Sequence, residues 1–188
     1  MQHLNPGFAN PVHDAQACFR AVLDATAHPG SLQRAGTDLT PPPRLCQAAA
    51  AVLLTLADAD SAVWVNPRWE TAREWLVFHC AVPLAATPAE ADFVLADPDC
   101  LADLATGDDD VPEAGATLIW QVAGLGRGAT LWLDGPGLRH PETLQIDPLP
   151  ADFVKAWAAN HARFPRGVDL ILCCGDVLAA LPRTTAIT

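Results

Sequence analysis

Apolar positions recur along this chain at spacings that switch between helical and extended. From Val12 to Ala27, the residues Ala15, Phe19, Val22, Leu23 and Thr26 fall three and four apart, which predicts a helix; Asp14 is placed to cap its start and His28-Pro-Gly30 to stop it. After Pro41-Pro-Pro43, the stretch Leu45 to Leu56 is alanine-rich and apolar nearly all round. Such a helix is buried on most sides, its alanines allowing close approach. Ala62 to Val65 and Phe93 to Ala96 predict short strands. Between them, Trp69 to His79 puts Trp69, Ala72, Trp75 and Leu76 on one stripe and Glu70, Arg73 and Glu74 elsewhere, an amphipathic helix. Leu101 to Ala105 supplies a helical turn or two, and Asp108-Asp-Asp110 a solvated loop.

The second half reads differently. Ala116 to Ala123 and Ala129 to Leu133 predict two strands joined as a hairpin through Gly124-Leu-Gly-Arg-Gly128. That glycine run lacks the Lys-Ser/Thr of a phosphate loop and the spacing of a dinucleotide fingerprint, so a turn is the better assignment. Gly135-Pro-Gly137 closes the second strand and opens a polar stretch to Pro150. Ala151 to Ala162 predicts a helix with Phe153, Val154, Trp157 and Ala158 inward. Val168 to Cys174, bounded by Gly167 and Gly175, reads as a strand buried on both faces, with a buried helical segment the alternative at that length. Strands separated by helices, plus one hairpin, make an α/β fold: a mixed sheet with helices on its faces. With no internal repeat or linker, residues 1–188 are expected to form a single domain burying roughly 70% of the unfolded surface.

Composition narrows the function classes. The formal charge is −11, from 22 acidic and 11 basic residues. No basic run exists to neutralise phosphates along a duplex, so nucleic acid is excluded as a partner. No stretch of 18 apolar residues occurs, which excludes a membrane span, and Met1 to Asn10 lacks the basic and apolar regions of a secretory leader, so a cytoplasmic protein is expected. Hydrophobic residues make up 51% and charged residues 18%, a balance that favours an oligomer or a complex-bound subunit. The six cysteines have no framework spacing. Reduced thiols used as small core residues are expected, with adjacent Cys173 and Cys174 on opposite faces of their strand.

Candidate chemistry is sparse. No His-x-His or His-x-x-x-His spacing supports a metal site. Ser31 and Ser61 are the only serines, and neither sits in a nucleophile elbow. Lys155 is the only lysine, predicted on an exposed helix face, whereas a Schiff-base lysine needs a lowered pKa. What remains is a set of polar groups near strand ends: Glu113, Arg166, Asp169, Arg183, Thr184 and Thr185. Arg166, Arg183, Thr184 and Thr185 are candidates for holding an anion. The structural alternative, which the sequence favours, pairs Arg183 or Arg166 with Glu113 or Asp169.

Five separated motifs add a resemblance. They are Gly7-Phe8 with Pro11-Val-His-Asp-Ala-Gln16, Phe19-Arg20 and Pro29-Gly30; Val52-Leu-Leu-Thr-Leu-Ala-Asp58 with Asp60 and Val63-Trp64; Pro112-Glu-Ala-Gly-Ala-Thr-Leu-Ile119 with Gln121-Val122; Gly135-Pro-Gly137; and Phe164-Pro165, Gly167, Asp169-Leu-Ile-Leu172, Gly175 and Leu181-Pro-Arg-Thr-Thr185. In this order they resemble the H-subunit family (PhnH) of bacterial carbon–phosphorus lyase over essentially the full length. Asn66 to Asp110 matches least, fitting only around Phe78-His79 and Pro83-Leu84. The resemblance implies a homodimer with a fold similar to a pyridoxal-phosphate (PLP)-dependent transferase but without PLP, working in a cytoplasmic core complex with the G, I and J subunits. That system uses phosphonates as a phosphorus source. The step linked to G, H, I and L joins an alkylphosphonate to the ribose carbon of ATP, releases adenine and gives, for methylphosphonate, alpha-D-ribose 1-methylphosphonate 5-triphosphate. The later radical step belongs to the iron–sulfur J subunit, and this chain lacks a cysteine pattern for such a cluster. No catalytic residue, metal or cofactor is implied for the H subunit itself. The expectation is a structural or co-catalytic dimeric subunit; the alternative is a nucleotide- or phosphonate-binding transferase subunit with its own anion site near Arg183.

Overall fold

The computed structural model describes residues 4–188, so the reading of Met1 to Asn10 falls partly outside the described residues. Helix α1 (Pro11–Ala27) opens with a reciprocal cap. Asn10 Oδ1 accepts from the His13 amide at 3.4 Å, and Asp14 Oδ2 accepts from the Asn10 amide at 2.9 Å. Asn10 is therefore the cap residue and Asp14 the residue that reaches back to it. The buried stripe of α1 is Cys18, Ala21, Val22 and Ala25, not the larger residues that its spacing brings forward. Phe19 is 46% and Leu23 51% exposed. The small side chains win the inner face because α1 lies directly on α2 (Gln47–Leu56), where bulk would hold the axes apart. Ala48 to Leu53 are all fully buried, so α2 is enclosed around its whole circumference, as its composition predicts. Helix α3 (Glu70–Cys80), entered through a 3₁₀ turn at Pro67–Trp69, packs Ala72, Trp75 and Leu76 inward.

Six strands form the main sheet: β1 (Gln33–Arg34), β2 (Val63–Val65), β3 (Phe93–Leu95), β4 (Thr117–Gln121), β7 (Asp169–Cys174) and β8 (Val177–Leu181), in the order β1-β8-β7-β4-β3-β2. β2, β3, β4 and β7 run parallel, while β8 and β1 add antiparallel pairings. The fold is thus α/β with a mixed sheet. A second sheet is built from β5 (Gly124–Asp134), β6 (Glu142–Asp147) and β9 (Ala186–Ile187), with β5 in the middle. Two cores result. Val63, Val65, Leu95, Ile119, Ile171 and Cys173 face the helical core of α1, α2 and α3. Their neighbours Val94, Leu118, Trp120, Leu170 and Leu172 face a second core closed by the small sheet and α4 (Phe153–His161). Helices therefore cover one face; the other is covered largely by strands.

The predicted hairpin across Gly124-Leu-Gly-Arg-Gly128 does not form. Both edges of β4 are already taken, by β3 on one side and β7 on the other, so the chain after Gln121 has to leave the sheet. The glycine run instead lies within β5. The register against β6 shifts between Leu125 and Ala129, a bulge in a long strand rather than a turn. The true hairpin partner is β6, hidden in the polar stretch before Pro150, where only Leu144 and Ile146 point inward. β8 (Val177–Leu181) also follows β7 at once, through Gly175-Asp176, a strand that the sequence reading leaves unassigned.

On α4 the buried residues are Phe153, Trp157 and Asn160, and Ala158 is exposed. The Asn160 side chain serves Val168 twice: Oδ1 accepts from its amide at 2.8 Å, and Nδ2 donates to its carbonyl at 2.9 Å. The amide side chain thus acts as a one-residue strand partner for the fully buried entry into β7. Asn160→Ala orphans both groups and is expected to cost about 2–4 kcal/mol, whereas Ala158→Ser should stay within about 0.5 kcal/mol. Urea unfolding of the two variants checks this; equal midpoints would show that water replaces the side chain.

Candidate functional site

The anion candidates sit at the amino ends of the parallel strands. Asp169 is the first residue of β7, and Arg183 follows the end of β8, which returns antiparallel beside it. Arg183 is 12% exposed and forms a fork with Asp169: Nη2 lies 2.6 Å from Oδ2, and Nε is 3.2 Å from each carboxylate oxygen. Its Nη1 donates to the Pro112 carbonyl at 2.5 Å, and its backbone amide donates to Asp169 Oδ1 at 2.7 Å. The guanidinium therefore pins three segments together: the turn before β4, the start of β7 and the chain after β8. His161 Nδ1 meets the Arg183 carbonyl at 2.9 Å, and Trp157 Nε1 donates to the Thr185 carbonyl at 2.8 Å.

Arg166 is more exposed and pairs with Asp109 of the triple-aspartate turn at 3.2 Å, not with Glu113, which is exposed. That turn is closed by Asp108 Oδ1, which accepts from the amides of Asp110 and Val111. Thr185 is fully buried, and its Oγ1 has no hydrogen-bond partner among the described residues. Sequence reasoning thus brings Arg183 and Asp169 together correctly. Arg166 and the Thr185 hydroxyl take separate surroundings from the guanidinium fork.

The carboxyl ends of the same strands, where open α/β sheets usually bind ligands, carry a set of groups the sequence does not signal. Gln121 ends β4. Its Nε2 donates to the Arg44 carbonyl at 2.9 Å, and its Oε1 accepts from the Cys46 amide at 2.7 Å. Trp69 Nε1 donates to the same Arg44 carbonyl at 3.1 Å. Arg44 itself has φ +71°, a conformation that a non-glycine residue keeps only when its surroundings hold it. Arg68 lies over the Trp69 ring, 4.4 Å from its centroid, and pairs with Asp97 just beyond β3. The loop from Pro41 to Cys46 is in this way strapped across the strand ends by side chains from α3's approach and β4. Only Gln121 belongs to a motif singled out in the sequence.

The thiols differ in character. Cys173 is fully buried in the helical core and Cys174 half-buried toward the other, on opposite faces as the strand period predicts. Burial pushes Cys173 well above the ordinary thiol range, with the Cys46 thiol beside it adding to the rise. Cys46, at the start of α2, is lowered, chiefly by hydrogen bonding from Cys173, against the desolvation that raises it. Burial first, and nearby carboxylates second, push Cys80 and Cys100 up to about 11. Thiolate therefore appears at Cys46 at lower pH than at Cys80 or Cys100. Alkylation by iodoacetamide at pH 8, read by peptide mass spectrometry, should label Cys46 faster than Cys80 or Cys100, whose labelling should rise only as the pH nears 11. Equal rates at pH 8 would contradict the assignment.

Lys155 is exposed on α4. No group of three or more His, Cys, Asp or Glu side chains suited to a metal ion occurs among the described residues. No helix among them is long and apolar enough to cross a membrane.

What the geometry defines is an α/β domain in which the best-formed polar cluster is an internal tie. Residues 6–188 match the family described as bacterial phosphonate metabolism protein (PhnH), and the chain belongs to that family. It is 36% identical over 184 residues to a protein of Rhizobium meliloti (strain 1021) named alpha-D-ribose 1-methylphosphonate 5-triphosphate synthase subunit PhnH, covering 95% of this chain and 92% of that one. It is 34% identical over 174 residues to HtxG of Stutzerimonas stutzeri, a protein described as a C–P lyase subunit, covering 92% of this chain and 85% of that one.

The tie has a measurable strength. Arg183→Ala leaves both the Asp169 carboxylate and the Pro112 carbonyl without their guanidinium partner. The expected cost is about 2 kcal/mol, below the roughly 3–5 kcal/mol of a fully buried pair, because Asp169 is 35% exposed and partly screened. Thermal unfolding of Arg183→Ala and Arg183→Lys checks it; lysine, lacking the fork, should recover less than half of the loss.

Proposed function

We propose that this chain is the H-type subunit of a carbon–phosphorus lyase system for organic phosphonate breakdown, contributing to formation of alpha-D-ribose 1-methylphosphonate 5-triphosphate from ATP and methylphosphonate. The observation that carries the proposal is the family match over residues 6–188, joined to 36% identity with a subunit of that synthase across 95% of the chain. Its role in this reading is structural or co-catalytic. The Arg183–Asp169 fork supports that role, since it binds three segments of the same chain to one another.

As part of the same proposal, residues 1–188 form one domain that works as a homodimer in the cytoplasm, bound to the G, I and J subunits, with a fold similar to PLP-dependent transferases and no PLP. Exposed Phe19 and Leu23 on α1 and Phe78 on α3 supply apolar surface for such contacts. A second reading keeps Arg166, Arg183, Thr184 and Thr185 as an anion site of a transferase subunit. Its one support is the unpartnered Thr185 hydroxyl, which is fully buried, so an anion would reach it only if the chain after β8 opened.

Co-expression with G, I and J and purification through a tag on one of them should bring this chain down in stable proportion. Light scattering of the isolated chain should give twice its 19.9 kDa. A strict monomer that never co-elutes would overturn the subunit reading. If Arg183→Lys folds and assembles but phosphonate growth is lost, the second reading gains; if assembly and growth both survive, it fails.

A further inference from the structure

Cys18, Cys46 and Cys173 all lie in or against the helical core, supplied by α1, the start of α2 and β7. Backbone ties on two flanks bring Cys46 and Cys173 side by side. Gln121 of β4 stands directly opposite Cys173 across the parallel ladder, and its Oε1 accepts from the Cys46 amide at 2.7 Å. Two residues further on, the Ala48 amide donates to the Gly175 carbonyl at 2.8 Å, stitching the first turn of α2 to the end of β7. Between these ties the two thiols are hydrogen-bonded to each other. Their backbones are thus held together on both sides, and an S–S bond would replace a contact already made.

The two sulfurs are not equivalent. Cys46 is half-buried at the start of α2, whereas Cys173 is wholly enclosed. Hydrogen bonding from Cys173 lowers Cys46 from the ordinary thiol value, against desolvation, and the Ala49 and Ala48 amides add to the lowering. Burial holds Cys173 well above that value. A reachable thiol that ionises early, touching a second and enclosed thiol, can have its oxidised form resolved within the protein. The other cysteines lack this arrangement: burial raises Cys18, Cys80 and Cys100, and Cys174 packs against the other core. We propose that Cys46 and Cys173 are a dithiol modification site for peroxide-class oxidants, Cys46 taking the oxygen and Cys173 closing a disulfide. The Cys46 thiolate attacks one peroxide oxygen, the O–O bond breaks, and the departing hydroxide takes a proton to become water. The Cys173 sulfur then attacks Sγ of the Cys46 sulfenic acid, and its proton leaves with the sulfenic hydroxyl as a second water. Two thiols and one hydrogen peroxide thus give one disulfide and two waters, and a thiol reductant reverses the bridge. The bridge joins the loop from Pro41 to Cys46, which is strapped across the carboxyl ends of the strands, covalently to β7. It concerns this chain's own thiols and stands apart from the subunit reading.

The test treats the reduced full chain, freed of reductant, with an equivalent of hydrogen peroxide at pH 8. Remaining thiols are blocked with iodoacetamide in denaturant, and peptides are read by fragmentation mass spectrometry, which tells Cys173 from Cys174. The expected product is a linked Cys46–Cys173 peptide pair that dithiothreitol separates, formed roughly tenfold or more ahead of any oxidation of Cys80 or Cys100. Cys173→Ala should divert Cys46 to sulfinic acid, trapped earlier by dimedone as the sulfenic acid. Should that enclosed position not tolerate the change, Cys46→Ser, at a half-buried one, carries the test: the bridge disappears and Cys173 is recovered as a free thiol. Cys46 recovered as sulfinic acid in the parent beside a free Cys173 would overturn the proposal. So would a bridge from either residue to Cys18 or Cys174 in its place, or a Cys173 oxidised as fast in Cys46→Ser as in the parent.

Discussion

β7 belongs to both cores at once, and much of the architecture follows from that. Its side chains alternate between the helical layer, through Ile171 and Cys173, and the strand layer, through Leu170 and Leu172. Pairing with β4 on one side and β8 on the other satisfies its backbone along its length, so the strand can lie where no water reaches. Its entrance is the vulnerable point, because Val168 is fully buried before the ladder begins. Asn160 serves the backbone there, and Asp169, one residue on, receives the Arg183 fork. Two polar devices drawn from α4 and from the chain after β8 thus guard the start of the most apolar strand.

The same arrangement explains why an α/β sheet of this shape has two unequal faces. One face takes three helices, of which α1 and α2 meet through small residues, and α2 in particular is sealed on every side. The other face takes a small sheet whose middle strand, β5, crosses from the neighbourhood of β4 into its own layer. Alanine suits the first packing, since close helix axes gain dispersion contacts from backbone as much as from side chain. Leucine, isoleucine and tryptophan suit the second, where Leu131, Leu133, Leu144 and Ile146 interdigitate with Trp120 and Trp157.

Helices were the most legible part of the sequence, because Pro, Gly and acidic punctuation brackets each one. The four of them and the strand content of β2, β3, β4 and β7 follow from period and flanks. Inward faces were less legible. In α1 the large residues look like core and the small ones are core, since the helix lies close to both the alanine-rich α2 and the strands β8 and β1. The hairpin went astray for a different reason. Local spacing made Gly124 to Gly128 look like a turn, but whether β4 has a free edge depends on β3 and β7, which are long-range facts. Leu118-Ile-Trp120, apolar without alternation, is the local sign that β4 is enclosed by parallel neighbours. At the candidate site the Arg183–Asp169 pair is legible as opposite charges flanking a strand. The strap over Arg44 is not, because its parts are a backbone carbonyl, an amide side chain and an indole drawn from three distant segments.

The hydrogen bonds that hold the segment before α1 run through one residue, Asn5. The Asn5 carbonyl accepts from Trp75 Nε1 at 2.8 Å and meets His79 Nε2 at 3.0 Å, while the Asn5 side chain donates to the Thr40 and Pro41 carbonyls. Trp75 is wholly enclosed, so its indole N–H has that oxygen in place of solvent. An indole so placed is a built-in optical reporter. Undocking of residues 4–8 would admit water to its polar edge and shift its emission to the red while the sheets stayed intact, a local signal distinct in origin from that of the other five tryptophans.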